Sequence, residues 1–217
     1  TKLNVPLSAG FFEWQESGEI KLSSFSGDIY VGFRYQGSNS DGQTWEVDDI
    51  ILKDGSGGSG GDSEFEDDFE NGLGKWSTYS VVGDQVWEHS TQYGNPGACA
   101  RISGYDDGDK ANDDWLISPA INLATASSAV LNFESAFNYD NVPLEVYLSS
   151  NYEANQNPNS YTWKQVSPTI SSGSWTWTPS GDVDLNEYLG GNVFFAFRFL
   201  STTEAAPTWE IDNVKVS

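Results

Sequence analysis

The sequence contains no methionine, a single cysteine at Cys99 and a single histidine at His89. One thiol forms no disulfide within the chain and assembles no cysteine-type zinc site, so Cys99 reads as a small core hydrophobe. One imidazole excludes any machinery that needs two and leaves His89 only arrangements built on that residue alone. Cationic side chains are scarce as well: 10 Lys and Arg stand against 32 Asp and Glu, a net charge of -22. Such a field repels phosphate backbones and anionic lipid, so nucleic acid and membrane surfaces are excluded as partners. No apolar run approaches the roughly 18 residues of a transmembrane helix, and no membrane insertion is expected. The chain opens with TKLNVPLSAG rather than a basic stretch followed by an apolar one, and with no methionine it reads as a trimmed piece of a longer product.

What is present is apolar, aromatic and acidic. Of 217 residues 37% are hydrophobic, with 9 Trp, 10 Tyr, 12 Phe and 22 Gly. That is enough apolar material for one large β domain or two smaller ones. The runs QVWEHS, ACARIS, DWLISP, AVLNFESAF, LEVYLSS, TWKQVS, SWTWTP, NVFFAFRFL and TWEIDNVKV are strand-length and bounded by Gly, Pro, Asn and Ser. Leu144, Val146 and Leu148 alternate with Glu145 and Tyr147, as in a strand with one face on a core. The fold class is all-β, and the number of strands calls for two packed sheets.

DGSGGSGGD at 54–62 carries no side chain able to build a core and reads as a flexible linker. It separates residues 1–53 from 63–217, and the two sides are related. Displaced by 163 positions, Gly10, Trp14, Gly18, Leu22 and Gly27 fall on Gly173, Trp177, Gly181, Leu185 and Gly190. After one extra residue, at an offset of 164, IYVGFRY falls on VFFAFRF and TWEVDDI on TWEIDNV. Residues 1–53 therefore read as the C-terminal half of a domain whose full version is 63–217. Residues common to both copies read as scaffold, which assigns Trp177 and Trp209 to the core. The half copy must hide an apolar face made by Phe12, Trp14, Ile29, Val31, Phe33, Trp45, Val47 and Ile50. Its expected partner is a complementing half domain on another chain, with packing on its own chain as the alternative.

FEDDFENGLGKW (65–76), DDWLISPAINL (113–123), LGGNVFFAFRF (189–199) and WEIDNVKV (209–216), in that order, resemble the jelly-roll domains of the cleaved-adhesin and choice-of-anchor J type. These are similar in architecture to MAM domains and to calcium-containing carbohydrate-binding modules. The resemblance covers all of 63–217, and the C-terminal half again in the first copy. It implies a jelly-roll β-sandwich from a secreted or cell-surface protein of Bacteroidetes-like bacteria, serving adhesion and carrying structural calcium. The chain departs from the adhesin pattern after Trp76, where STYSVVGDQVW has one acid, Asp84, in place of an Asp-rich loop.

A jelly roll brings its first and last strands together, so acids far apart in sequence converge. Asp68, Glu70, Asp114 and Asp212 are the expected calcium ligands, since calcium takes about six to eight oxygens. Glu210-Ile211-Asp212 begins like the three-acid strand of jelly-roll glucanases, but the third position falls on Val214 or Lys215, neither of which donates a proton as a carboxylic acid does. No catalytic residue is assigned, and Glu210 is expected in an ion pair with Arg198. Glycan binding needs exposed flat rings beside polar side chains. Tyr139, Asn141, Tyr161 and Trp163 stand in or beside Asn- and Ser-rich segments and are the expected sugar contacts, with Trp87 and Trp175 as further options. The leading reading is a non-catalytic, calcium-stabilised adhesion or glycan-binding module with a glycan or a surface protein as partner. A structural spacer without a ligand, or an accessory domain of an upstream hydrolase, are the alternatives.

Overall fold

The computed structural model of the chain describes residues 5, 8, 15, 17, 31–35, 44–47 and 65–217. The chain divides into two units, Thr1–Gly57 and Gly58–Ser217. In the first, residues 31–35 and 44–47 carry no strand. Val31, Phe33, Trp45 and Val47 are 56%, 65%, 45% and 52% exposed. The rest of the expected half copy, including Phe12, Trp14, Ile29 and Ile50, and the 54–62 linker lie outside the described residues.

The second unit is a jelly-roll β-sandwich. Its strands are β1 (Phe65–Asp67), β2 (Ser77–Val82), β3 (Glu88–Gly94), β4 (Gly97–Ser103), β5 (Asn112–Ile117), β6 (Ile121–Asn122), β7 (Val130–Asn138), β8 (Glu145–Ser149), β9 (Lys164–Val166), β10 (Thr178–Pro179), β11 (Val183–Asp184), β12 (Asn192–Ser201) and β13 (Thr208–Val216). The larger sheet runs β10-β7-β13-β4-β3, with β1 on β13 and β11 on β7. The smaller runs β2-β5-β12-β8-β9, with β6 on β12. The strand pairs are antiparallel.

The two central strands show why the sequence folds this way. In β12, Val193, Phe195, Phe197 and Phe199 face the core between the sheets, while Phe194 and Ala196 pack in a second cluster on the outer face. Both faces are covered, so the strand is a nearly continuous apolar run. In β13, Trp209 and Ile211 face the core, and so do Val214 and Val216, although their parity differs. The change occurs where the register with β7 shifts between Asp212 and Lys215 and Asn213 takes a φ of 50°. One extra residue there turns the rest of the strand over. Trp209 stacks on Phe137 at 4.3 Å and 17° and is 1% exposed. Trp177, expected in the core as well, is only half-buried and stands just before the two-residue strand β10.

Candidate functional site

The outer face of the smaller sheet is aromatic. Trp115 and Ile117 of β5 and Phe194 and Ala196 of β12 form its floor, and Tyr152 packs on them from the long β8–β9 connection. Tyr79, Val81, Tyr147, Tyr161 and Trp163 lie against this cluster and remain half-exposed. The rings touch in series: Tyr147 and Trp163 lie at 5.2 and 5.3 Å from Trp115, and Tyr161 and Trp163 at 5.3 and 5.2 Å from Tyr152. Backbone carbonyls hold the connection down, since Trp163 Nε1 donates to Pro158 O at 3.0 Å and Tyr152 Oη to Gln156 O at 3.0 Å.

A charged ladder borders the rings. Arg198 Nε and Nη2 donate to both oxygens of Asp113 at 2.8 Å, and Nη1 to Glu145 at 3.3 Å. The guanidinium lies 5.2 Å from the Trp115 ring, and Tyr147 Oη donates to Glu145 Oε2 at 2.8 Å. Its hydrogen bond to Asp113 raises the Arg198 pKa, and burial followed by the bond to Glu145 raises that of the Tyr147 hydroxyl. This corrects the expected Arg198–Glu210 pair. Arg198 belongs to β12 and Glu210 to β13, in different sheets, and Glu210 faces Arg101 of β4 at 3.6 Å instead. Burial, opposed by Arg101, pushes the Glu210 carboxyl up to about 7.

Of the expected sugar contacts, Tyr161 and Trp163 thus belong to the aromatic face. Tyr139 and Asn141 stand elsewhere, in the exposed β7–β8 connection. There Tyr139, 70% exposed, meets Trp175 edge-on at 5.7 Å. Both have positive φ, 75° and 56°, a strained backbone for residues of that bulk. Tyr79, Trp115, Tyr147 and Phe194 were not expected as members of an outer cluster. Their one signal was a strand, β12, apolar on both faces.

The expected calcium ligands divide as well. Asp212 is 1% exposed and accepts Asn95 N at 2.6 Å and Asn213 N at 2.7 Å. Glu70 accepts Ala98 N at 2.6 Å, and Asp68 accepts Glu70 N at 3.1 Å. Burial first, then the charges of Glu134 and Asp68, push the Asp212 carboxyl up to about 6. Asp68 and Asp212 are therefore neighbours, brought together by the pairing of β1 with β13. Glu134, which accepts the amides of Asn95 and Asn213 at 3.0 and 2.7 Å, was not foreseen. Asp114 is not part of this group, because it lies on β5 in the other sheet. Among the described residues, no three or more His, Cys, Asp or Glu side chains stand together as a ready-made metal cluster, so an ion beside Asp212 would draw on backbone and water oxygens too.

No protein-family model matches the chain, and no curated protein sequence does. Among solved structures it is similar to cleaved adhesin domains of Lys-gingipain. The K3 domain from Porphyromonas gingivalis superposes with a TM-score of 0.53 at 21% identity, over 71% of this chain and 99% of that one. The K1 domain from the same organism gives 0.52 at 24% identity, over 70% and 96%. The K2 domain gives 0.52 at 15%, over 70% and 98%. At these identities the likeness shows the fold.

Proposed function

We propose that residues 63–217 form a non-catalytic adhesion module that binds neutral glycans, is stabilised by calcium and belongs to a secreted or cell-surface protein of the cleaved-adhesin and choice-of-anchor J kind. The observation that carries this reading is the aromatic outer face of the smaller sheet, with the half-exposed rings Tyr79, Tyr147, Tyr161 and Trp163 beside fixed carboxylates. Flat rings cover the apolar faces of pyranoses, and carboxylates accept from their hydroxyls. The net charge of -22 disfavours acidic sugars, and Arg198, the cation bordering the face, is already held by Asp113 and Glu145. Absence of catalysis is supported by the strand of Glu210 and Asp212, where Val214 is buried and Lys215 replaces an acid.

A glycan array on the purified chain, followed by affinity electrophoresis in neutral polysaccharides, tests the reading. Affinity is expected to be roughly micromolar to millimolar, since water competes at a shallow face. Tyr161→Ala and Trp163→Ala should weaken it at least tenfold while the chain stays folded, and Tyr139→Ala reports whether the β7–β8 end takes part. Absence of binding to any neutral glycan gives the protein the role of a spacer.

Calcium is part of the proposal. Asp68, Glu70 and Asp212, with Glu134, offer only oxygen donors, and each bonded carboxylate oxygen keeps a lone pair for a hard cation. Such an ion would relieve the repulsion among Asp68, Glu134 and Asp212. Calcium at about 100 times its Kd would stabilise the fold by about 2.7 kcal/mol. Melting in chelator should then fall by several degrees; an unchanged melt removes calcium from the reading.

A further inference from the structure

Three of the four exposed aromatic side chains of residues 65–217 stand at one end of the sandwich: Tyr105, Tyr139 and Trp175, 60%, 70% and 37% exposed. β13 defines that end. Its first residue, Thr208, pairs with Ser103 where β4 finishes and with Asn138 where β7 finishes, so the β4–β5, β7–β8 and β12–β13 connections leave side by side. Segment 171–176 joins them through Trp175 N, which donates to Phe137 O at 3.0 Å.

These segments are anchored to the strands below. Ser171 N donates to Ser135 Oγ at 3.0 Å and Ser171 Oγ to Thr176 O at 2.7 Å. Asp140 Oδ2 accepts Ala206 N at 2.8 Å, and Val142 O accepts Trp209 Nε1 at 3.0 Å. A partner therefore meets Tyr139 and Trp175 on backbone already held in place, which lowers the ordering cost of binding. The two ring planes cross at 88° with their centroids 5.7 Å apart, as two walls that meet at a corner. A flat pyranose stacks on one wall at a time, whereas a compact cation set in the corner lies over both ring faces, as in an aromatic cage.

The charge around the rings has the sign that a cation needs. Connections 104–111, 139–144 and 202–207 and segment 167–177 carry Asp106, Asp107, Asp109, Asp140 and Glu204 against one cation, Lys110. Asp106, Asp107 and Glu204 are exposed, and the net charge of -22 extends the same attraction to longer range. Acids spread over three connections suit several cations on one polypeptide better than a single small ion. Exposed Tyr and Trp among Ser, Gly and Asn, as in SGYDDGDKAN and SSGSWT, are also what protein-binding loops use.

We infer that this end of the sandwich docks a cationic polypeptide segment, with an Arg side chain in the corner between Tyr139 and Trp175 and further cationic side chains against Asp106, Asp107 and Glu204. Arg suits the corner better than Lys, because its planar guanidinium stacks on rings and is more weakly hydrated. The inference does not rest on glycan binding and uses none of the rings of the smaller sheet.

The test titrates the full chain into a fluorescently labelled peptide of alternating Arg and Ser at physiological ionic strength, followed by anisotropy, with a Lys–Ser peptide and free arginine alongside. The Arg peptide should bind more tightly than the Lys peptide, and free arginine should displace it only in large excess. Tyr139→Ala combined with Trp175→Ala leaves the net charge unchanged and should weaken the Arg peptide about fivefold or more, while Tyr139→Phe combined with Trp175→Phe keeps most of the affinity. Both changes lie on exposed side chains, and an unaltered melting temperature shows that each variant folds. Equal binding by the parent and the Ala pair, or of the Arg and Lys peptides, overturns the inference, since diffuse charge then accounts for the attraction. Displacement by free arginine at the peptide's own concentration, or a parent chain that binds neither peptide, overturns it as well.

Discussion

Asp67 shows how much a single carboxylate decides. It was one acid among several at the start of the domain, and the fold uses it as a latch. Its Oδ1 accepts Phe69 N at 3.0 Å and its Oδ2 accepts Trp76 Nε1 at 2.9 Å, with Lys75 Nζ at 3.7 Å. Those bonds set the Trp76 ring against Phe65, Phe69 and Phe195. Asp67→Ala leaves a buried indole N–H without an acceptor and should cost about 1–3 kcal/mol in denaturant unfolding; a change near zero would mean that water replaces the carboxylate. Cys99 makes the opposite point. It is fully buried, and burial, then Glu210 and Asp212, push its thiol up to about 12. The thiol stays protonated and sheltered at pH 8, where an ordinary cysteine is partly thiolate. Native protein should resist a thiol reagent at that pH and react at one equivalent once unfolded; rapid native labelling would contradict the burial.

Elements that are long apolar or alternating runs were legible, and the segments that cover them were not. β12 and β13 appear in the sequence as NVFFAFRFL and TWEIDNVKV, and both take central places in their sheets. Phe197 is completely buried between Phe133 and Trp76, so Phe197→Ala should cost about 3–5 kcal/mol, read from the unfolding midpoint. β2 was missed because STYSVV offers only Tyr79, Val81 and Val82 as apolar residues, the last of them exposed, which is enough for a sheet edge. The candidate face was half legible. Tyr161 and Trp163 stood out as rings in a polar segment, but no local pattern reports that residues 150–163 fold back over β5 and β12. Nor does sequence spacing tell that Asp114 points to one sheet's end while Asp212 stands in the other. Trp163→Ala should raise amide exchange along 150–163 more than in β12; uniform protection would show that the connection is held by its backbone bonds alone.

For the molecule as a whole, the net charge of -22 sets the solution behaviour. Self-repulsion opposes compactness and is screened by salt, so the melting temperature in chelator should climb as sodium chloride rises from 0.01 to about 0.5 M. A flat response would mean that the acids are already compensated locally. Residues 31–47 add a second consequence. Val31, Phe33, Trp45 and Val47 repeat Phe195, Phe197, Trp209 and Ile211 of the complete copy, yet the former are exposed and the latter buried. Apolar residues so displayed favour self-association. Sedimentation should show oligomers that grow with concentration and that Phe33→Asp with Val47→Asp suppresses; an ideal monomer throughout would refute this.

The pairing of β1 with β13 places Phe65 opposite Val216, so the two ends of the sandwich leave side by side. A pulling load applied across those residues opens the pair like a zipper, one bond at a time, rather than shearing all its bonds together. With only three residues in β1, the opening is short and needs little force. A chain loaded this way yields first at its own seam, beside the acids Asp68 and Asp212, before the aromatic face on the opposite sheet is disturbed.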